Sequence, residues 1–123
     1  MKKVLITGGG GFIGSHLVDR MSLNHKVVVI DNFFQGNKLE NLNKNVKLIN
    51  GDIKDKDLIL HHSKNCTTIF HLAAILGVDV VADRNLETME CEFFGLKNIC
   101  DAAKKNKVKK IIYSSSSGVY GTM

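Results

Sequence analysis

Four consecutive glycines lie between a short apolar run and an amphipathic segment near the start of this 123-residue chain. Gly8, Gly11 and Gly14 are spaced three residues apart; Val4–Ile6 before them predicts a strand, and Phe12–Leu23 after them predicts a helix. In such a setting the first glycine permits a tight turn, the second lets the backbone approach a pyrophosphate, and the third lets helix and strand pack closely. The free N–H groups at the start of the helix favour an anion. The sequence therefore predicts a dinucleotide-binding loop rather than a flexible turn.

Short β-branched runs alternate with longer helical stretches along the whole chain, which indicates βαβ units and a parallel sheet. The strands predicted are Val4–Ile6, Val27–Ile30, Val46–Ile49, Thr67–Phe70 and Lys110–Tyr113. Two further helices are predicted at Asp55–His62, with Asp55 as N-cap, and at Arg84–Asn106. Because the predicted strands carry apolar side chains on both faces, we expect helices to cover both faces of every strand in the sheet. We therefore expect an α/β fold, a Rossmann-type doubly wound parallel sheet of about five strands in the order 3-2-1-4-5.

Helical periodicity predicts the buried face of each helix. The first helix carries Ile13, Leu17 and Met21 at i, i+4 and i+8, and the second points Leu58 and Ile59 inward. In the third helix, residues stepping by three and four form one apolar stripe, made of Leu86, Met89, Phe93, Leu96, Cys100 and Ala103.

Composition excludes several classes of function. The formal net charge of +5 permits a polyanionic partner, but Lys104, Lys105 and Lys107 close a predicted helix, where the helix dipole favours cations, and no aromatic residue lies among the lysines of 104–110. We therefore expect no nucleic-acid partner.

No apolar run is long enough for a membrane span, and the apolar start is too short for a secretion signal. Three cysteines form no disulfide framework, so a cytoplasmic setting is expected.

Asp31 ends the second predicted strand, 17 residues beyond Gly14. In a dinucleotide-binding sheet a carboxylate at this place accepts both hydroxyls of the adenosine ribose. It would repel a 2′-phosphate, and the following Asn32 and Phe33 offer no cation to receive one. The position therefore favours NAD over NADP, and the alternative is an aspartate that only begins a turn.

Five motifs, in this order, resemble the extended short-chain dehydrogenase/reductases, in particular the NAD-dependent nucleotide-sugar epimerases and dehydratases. They cover essentially the whole chain, at Thr7–Leu17, Val29–Asn32, Gly51–Ile53, His71–Ala74 and Tyr113–Gly121. A single glycine-rich loop is weak evidence for a family, whereas this ordered series is specific to it.

The resemblance implies which residues contact NAD. Asp52 and Ile53 would contact the adenine, with a turn aspartate as the alternative for Asp52, and Ala73 and Ala74 would lie against the nicotinamide-side ribose. The full set of implied cofactor-binding residues is Gly8, Gly11, Phe12, Ile13, Gly14, Asp31, Asn32, Asp52, Ile53, Leu72, Ala73 and Ala74.

The histidines of the chain do not predict a second kind of site. We expect His71 to be a packed histidine at a strand end rather than a ligand or a base. His61, His62 and Cys66 fit an exposed helix end better than a metal site, because no convincing fourth ligand accompanies them. No metal is expected.

The resemblance also implies a catalytic serine, Ser116, which would hydrogen-bond the reacting hydroxyl or carbonyl; the flanking Ser115 and Ser117 leave the register open by one residue. The family's general acid/base is the tyrosine of a Tyr-x-x-x-Lys pair, and neither Tyr113 nor Tyr120 has a lysine four residues on. The resemblance places that pair beyond this chain. We therefore expect residues 1–123 to be an NAD-binding domain that lacks the substrate domain and is inactive alone, with a nucleotide sugar as substrate of the full-length parent.

A non-catalytic NAD-binding module or cofactor sensor is the alternative function, since it would show the same glycine loop without the Tyr-x-x-x-Lys pair. A homo-oligomer is expected in either case. The adjacent Phe93 and Phe94 diverge by about 100° on a helix, so at least one ring should face a partner. The last predicted strand should also leave an unpaired sheet edge.

Overall fold

The computed structural model describes residues 1–33, 36–73 and 85–114, and only the backbone of residues 85–92. The described residues form eight alternating helices and strands. The strands are β1 (Lys3–Thr7), β2 (Lys26–Asp31), β3 (Val46–Asn50), β4 (Cys66–His71) and β5 (Lys110–Tyr113). The helices are α1 (Phe12–Met21), α2 (Lys56–His62) and α3 (Asn85–Lys105). The predicted bounds agree to within two residues. Asp55 caps α2 as expected, because its Oδ1 accepts from the Leu58 N–H at 3.2 Å.

The five strands form one sheet in the order β3-β2-β1-β4-β5, and every neighbouring pair is parallel. The fold class predicted from the sequence is confirmed. Thr7 pairs with Ile30 on one side and with His71 on the other, and His71 pairs with Tyr113. The carboxyl ends of β1, β2, β4 and β5 therefore lie level with one another. The chain runs from β1 outward to β2 and β3 and then crosses back to β4 on the other side of β1, so the topological switch point lies between β1 and β4.

Successive side chains of the central strands enter two different cores, because strand residues alternate between the faces of a sheet. Leu5, Val28, Ile30 and Ile69 lie on the face that α2 and α3 cover, together with Ile59 and Ile99 of those helices. On the opposite face, buried residues of the first two strands pack with Val18 of α1, namely Val4, Ile6, Val27 and Val29. The double burial expected for every strand is absent at the edges: β3 is largely exposed and all four residues of β5 are exposed.

The predicted apolar face of α1 is confirmed at Leu17 and Met21, which are partly buried against the core, and is wrong at Ile13. Ile13 is 67% exposed, and the residues that α1 buries are Gly14, Ser15 and Val18. The reason is the close approach of α1 to the preceding loop at Gly14, which places Val18, one turn later, over the sheet. Ile13 precedes Gly14 by about 100° of helix rotation and is turned outward.

The predicted stripe of α3 is correct at Ala103, which is buried in the core, and wrong at Phe93 and Cys100. Phe93 is 67% exposed and Cys100 is exposed, whereas Asn98, Ile99 and Ala102 are buried. A Cβ atom at Gly95 would overlap the Ile53 side chain, so the helix makes its close approach at a glycine rather than through its large residues. Leu86 and Met89 lie outside the described side chains. Within the described part of the chain, no helix combines the length and apolarity that a membrane span requires.

Candidate functional site

The loop after β1 has a shape that only glycine permits at two positions. Gly8 has a left-handed backbone with φ of 73°, and a Cβ atom there would lie 2.7 Å from the Ala73 nitrogen. A Cβ at Gly14 would overlap the Gly8 carbonyl oxygen and lie 2.8 Å from Gly9 Cα. The Gly8 N–H donates to the Ile30 carbonyl at 2.9 Å, which ties the loop to β2. The first and third glycines of the motif therefore have the roles that their spacing predicts.

Gly11 differs from these two, because the protein itself gives no reason for a glycine there. A Cβ at Gly11 would meet only the Gly8 oxygen, at an ordinary 3.5 Å. Gly11 is the N-cap of α1, no side chain caps this helix, and its first turn has no acidic residue. The N–H groups of the first turn thus face an open cradle that fits an anion such as a pyrophosphate.

Asp31 lies beside this cradle with its carboxylate held by backbone donors. Oδ2 accepts from the Gly10 N–H at 2.8 Å, and Oδ1 accepts from the Phe33 N–H at 2.7 Å. Each carboxylate oxygen keeps acceptor capacity for a further hydrogen bond. The neighbouring Asn32 side chain is exposed. This geometry suits an aspartate that begins a turn and also a carboxylate that accepts from ribose hydroxyls. The two roles predicted for Asp31 are therefore compatible.

Asp52 and Ile53 follow β3 and have separate surroundings. Asp52 Oδ1 accepts from the Lys54 N–H at 2.8 Å, and its side chain is 47% exposed. Ile53 is buried in the core under α3, and its carbonyl accepts from Asn98 Nδ2 at 2.9 Å. Asp52 therefore has the turn role that was its alternative reading, and its side chain remains accessible. Adenine contact by these two residues stays a prediction.

Thr7, the last residue of β1, holds Leu72 and Ala73 directly after β4, a role that was not predicted from the sequence. Its Oγ1 accepts from the N–H groups of Leu72 at 3.1 Å and Ala73 at 3.2 Å, and lies 2.7 Å from His71 Nδ1. Because the hydroxyl oxygen already accepts two hydrogen bonds, its proton points to Nδ1, and His71 carries its own proton on Nε2. The signal available in the sequence was a threonine directly before the glycine loop.

His71 is a packed strand-end histidine, as predicted. It is 1% exposed, and its ring stacks on Tyr113 with 5.5 Å between centroids. Its Nε2 is buried and has no hydrogen-bond partner among the described residues. Burial lowers the pKa of His71 to about 4.

We expect this histidine to make folding stability depend on pH. The unfolded chain binds a proton at His71 below about pH 6.5, whereas the folded chain resists it down to about pH 4. The free energy of unfolding should therefore fall by about 3 kcal/mol between pH 6.5 and pH 4 and lose nothing further to this group below that. Urea unfolding at a series of pH values measures it.

His71→Asn is the control for that experiment, because the amide oxygen can accept from Thr7 and the side chain does not titrate. The difference between wild type and variant isolates His71 from carboxylates and from His62, whose pKa burial also lowers. Parallel pH profiles of the two proteins would contradict the assignment.

The remaining predicted residues divide into two groups. Phe12 and Ile13 are 69% and 67% exposed at the start of α1, beside the cradle. Ala74 and Ser116 lie outside the described residues, as do Ser115, Ser117 and Tyr120.

His61 is exposed, and across residues 1–33, 36–73 and 93–114 no group of three or more His, Cys, Asp or Glu side chains could hold a metal ion.

A parallel sheet with a glycine loop and an uncapped helix at its switch point, and a carboxylate at the end of β2, defines a dinucleotide-binding Rossmann domain. Residues 4–123 match the model of the NAD dependent epimerase/dehydratase family. The chain belongs to this family, and the cofactor of the family is NAD, as predicted from the sequence.

Known proteins similar to this chain include enzymes of nucleotide-sugar chemistry. The UDP-N-acetyl-alpha-D-glucosaminuronate decarboxylase of Bacillus cytotoxicus is 43% identical over 98% of this chain and 38% of its own length. The structure of UDP-N-acetylglucosamine 4-epimerase from Methanobrevibacter ruminantium, in complex with UDP-N-acetylmuramic acid, has a TM-score of 0.89 and 39% identity, over 98% of this chain and 39% of that one.

A third similar protein was solved with the dinucleotide. The complex of Thermus thermophilus UDP-glucose 4-epimerase with NAD has a TM-score of 0.80 and 31% identity, over 93% of this chain and 37% of that one. The chain thus spans about two fifths of the length of the relatives that it matches.

Proposed function

We propose that residues 1–123 are the NAD-binding domain of an enzyme that acts on a nucleotide-linked sugar as an epimerase or dehydratase. The observation that carries the proposal is the cradle at the start of α1. Gly11 is a glycine that the protein's own packing does not require, at an uncapped helix start beside an oriented carboxylate. Family membership supports NAD, and the sugar-nucleotide enzymes among the relatives support the substrate class.

The residues of this chain would bind and orient the dinucleotide. The first-turn N–H groups of α1 receive the pyrophosphate, and Asp31 accepts from the ribose hydroxyls. The Thr7 hydroxyl fixes the peptides of Leu72 and Ala73 beside the loop, where the small side chain of Ala73 leaves room for the nicotinamide-side ribose. Bound NAD supplies the hydride acceptor and donor for the sugar carbon.

Ser116 is proposed to hydrogen-bond the reacting sugar oxygen, as the motif position implies. The sequence of 123 residues holds no Tyr-x-x-x-Lys pair to supply the general acid/base. We therefore propose that these residues alone bind NAD and leave UDP- and dTDP-sugars unchanged. The thiols of Cys66 and Cys100 are free, which is consistent with the cytoplasmic location that we propose.

Gly11→Ala tests the cradle. The added methyl group meets no protein atom closer than 3.5 Å and the backbone φ of −79° suits alanine, so stability should change by less than about 1 kcal/mol. The methyl group would occupy the space of the pyrophosphate, so NAD should bind at least about tenfold more weakly. Isothermal titration calorimetry and urea unfolding of the same samples measure both.

Leu23→Ala is the control, because Leu23 is 70% exposed and lies beyond the opposite end of α1 from Gly11. It should retain NAD binding. Unchanged NAD affinity in Gly11→Ala would remove the observation on which the proposal rests, and absence of NAD binding by the wild-type chain would contradict the function itself.

A homo-oligomer is proposed as the assembled state. Phe93 and Phe94 are 67% and 50% exposed, with their rings 5.2 Å apart, and β5 exposes Ile111, Ile112 and Tyr113. Clustered exposed apolar side chains mark interaction surfaces. Light scattering over a concentration series should give a mass above 13.6 kDa that falls towards it in Phe93→Ser/Phe94→Ser. A concentration-independent monomer mass with a cooperative melt would contradict this proposal.

A further inference from the structure

Phe33, two residues beyond Asp31, has a backbone conformation that a phenylalanine rarely adopts. Its φ is 56°, in the left-handed region. The other described non-glycine residues with positive φ have local reasons: Asn41 and Asn65 are of a residue type that tolerates it, and Lys107 follows the end of α3. Strain of this kind persists only where the surroundings fix it, and it clusters at functional sites.

Three hydrogen bonds fix Phe33 and the segment after it. The Phe33 N–H donates to Asp31 Oδ1 at 2.7 Å, and its carbonyl accepts from the Gly36 N–H at 3.0 Å. Further along, the Lys38 N–H donates to the Gly10 carbonyl at 2.9 Å, which anchors the segment on the glycine loop. The left-handed turn at Phe33 thus brings this segment back over the loop that begins the cradle.

The strained backbone directs the ring to one place, above Gly10. A Cβ atom built on Gly10 would lie 2.8 Å from Phe33 Cδ1 and 2.9 Å from Asp31 Oδ2. The edge of the ring and the carboxylate oxygen therefore border the same small volume over Gly10. A phosphate on a ribose hydroxyl held by Asp31 Oδ2 would have to fit beside this ring edge.

We propose that Phe33 is a specificity-determining residue that closes the adenosine-ribose end of the NAD site and excludes a 2′-phosphate by its volume. This inference rests on the proposed function. Asp31 opposes a 2′-phosphate through its charge, and the ring opposes it through occupied space, so the two residues form two separate barriers. Removal of the charge alone should then be insufficient to admit NADP.

The experiment compares NAD and NADP binding by calorimetry for wild type, Phe33→Asn, Asp31→Ser and the double variant. Asparagine tolerates the left-handed conformation, so the exchange removes the ring and keeps the backbone. We expect Asp31→Ser alone to bind NADP weakly and Asp31→Ser/Phe33→Asn to bind it at least about tenfold more tightly than Asp31→Ser. Leu23→Asn, an exposed apolar residue after α1, is the control and should not alter the preference for NAD.

The outcomes separate this inference from the function on which it rests. If wild type binds NAD but the double variant binds NADP no more tightly than Asp31→Ser, the role of Phe33 is overturned and the NAD-binding function stands. If wild type binds neither dinucleotide, both are overturned. Phe33→Gly in the Asp31→Ser background shows whether the effect is specific to asparagine, and it should give the same gain in NADP affinity. Circular dichroism melts verify that each variant folds cooperatively.

Discussion

Gly8→Ala should destabilise the fold by about 2–5 kcal/mol, because two independent penalties add. The backbone at this position is left-handed, with φ of 73°, a conformation that costs an L residue about 1–2 kcal/mol. The new methyl group would also lie between 2.7 and 2.9 Å from backbone atoms of Leu72 and Ala73, which cannot move as a flexible side chain would. Relief of that overlap requires the segment after β4 to separate from the glycine loop. Urea unfolding monitored by circular dichroism measures the loss.

Gly36→Ala separates the two penalties of that substitution. Its φ of 94° is also positive, but no atom lies within 4 Å of an added Cβ, so only the backbone term of about 1–2 kcal/mol should appear. Equal losses in the two variants would mean that the loop yields to the methyl group at Gly8, and that the contact with Ala73 contributes nothing to the requirement for glycine.

Thr7→Val should cost about 2–4 kcal/mol although valine has nearly the same shape. The substitution leaves the buried His71 Nδ1 and the part-buried Ala73 N–H without their partner between the ends of β1 and β4. An unsatisfied buried polar group costs about 1–3 kcal/mol. The Leu72 N–H retains the Thr7 carbonyl oxygen at 3.1 Å, so the segment should loosen rather than detach. NAD binding should weaken with it, since Ala73 borders the proposed ribose site.

Thr67→Val provides the matched exchange on the amino end of β4. The Thr67 hydroxyl donates to the Lys3 carbonyl over a long 3.4 Å, so its loss should cost less than about 1 kcal/mol. A difference between the two valine variants reports the hydrogen bonds of Thr7 and not the loss of a threonine as such. If Thr7→Val unfolds at the same urea concentration as Thr67→Val, the Thr7 hydroxyl does not hold the two strand ends together.

The fold was predictable from the sequence because its determinants are local. Apolar runs such as Val27–Ile30 define strands within four residues, and the spacing of Gly8, Gly11 and Gly14 predicts the dinucleotide loop within seven residues. Asp55 caps its helix through an atom only three residues away. These signals depend on backbone conformation and side-chain alternation, which act over short stretches of chain. The strand order followed from the βαβ pattern, since parallel neighbours require a long crossover connection, which is usually a helix.

Tertiary contacts decided which helix faces are buried and which residues shape the site. Ile13 and Phe93 fit an apolar period, yet Gly14 and Gly95 set the close approaches and turn those large residues outward. The Thr7–His71 hydrogen bond joins atoms 64 residues apart, and the Phe33 ring reaches Gly10 through a strained turn held by hydrogen bonds to Asp31, Gly36 and Gly10. Helical periodicity shows that one face of a helix is apolar, whereas burial of that face depends on where two backbones can approach each other. Hydrogen bonds between the ends of distant strands have no fixed spacing in the sequence, so they could not be predicted from it.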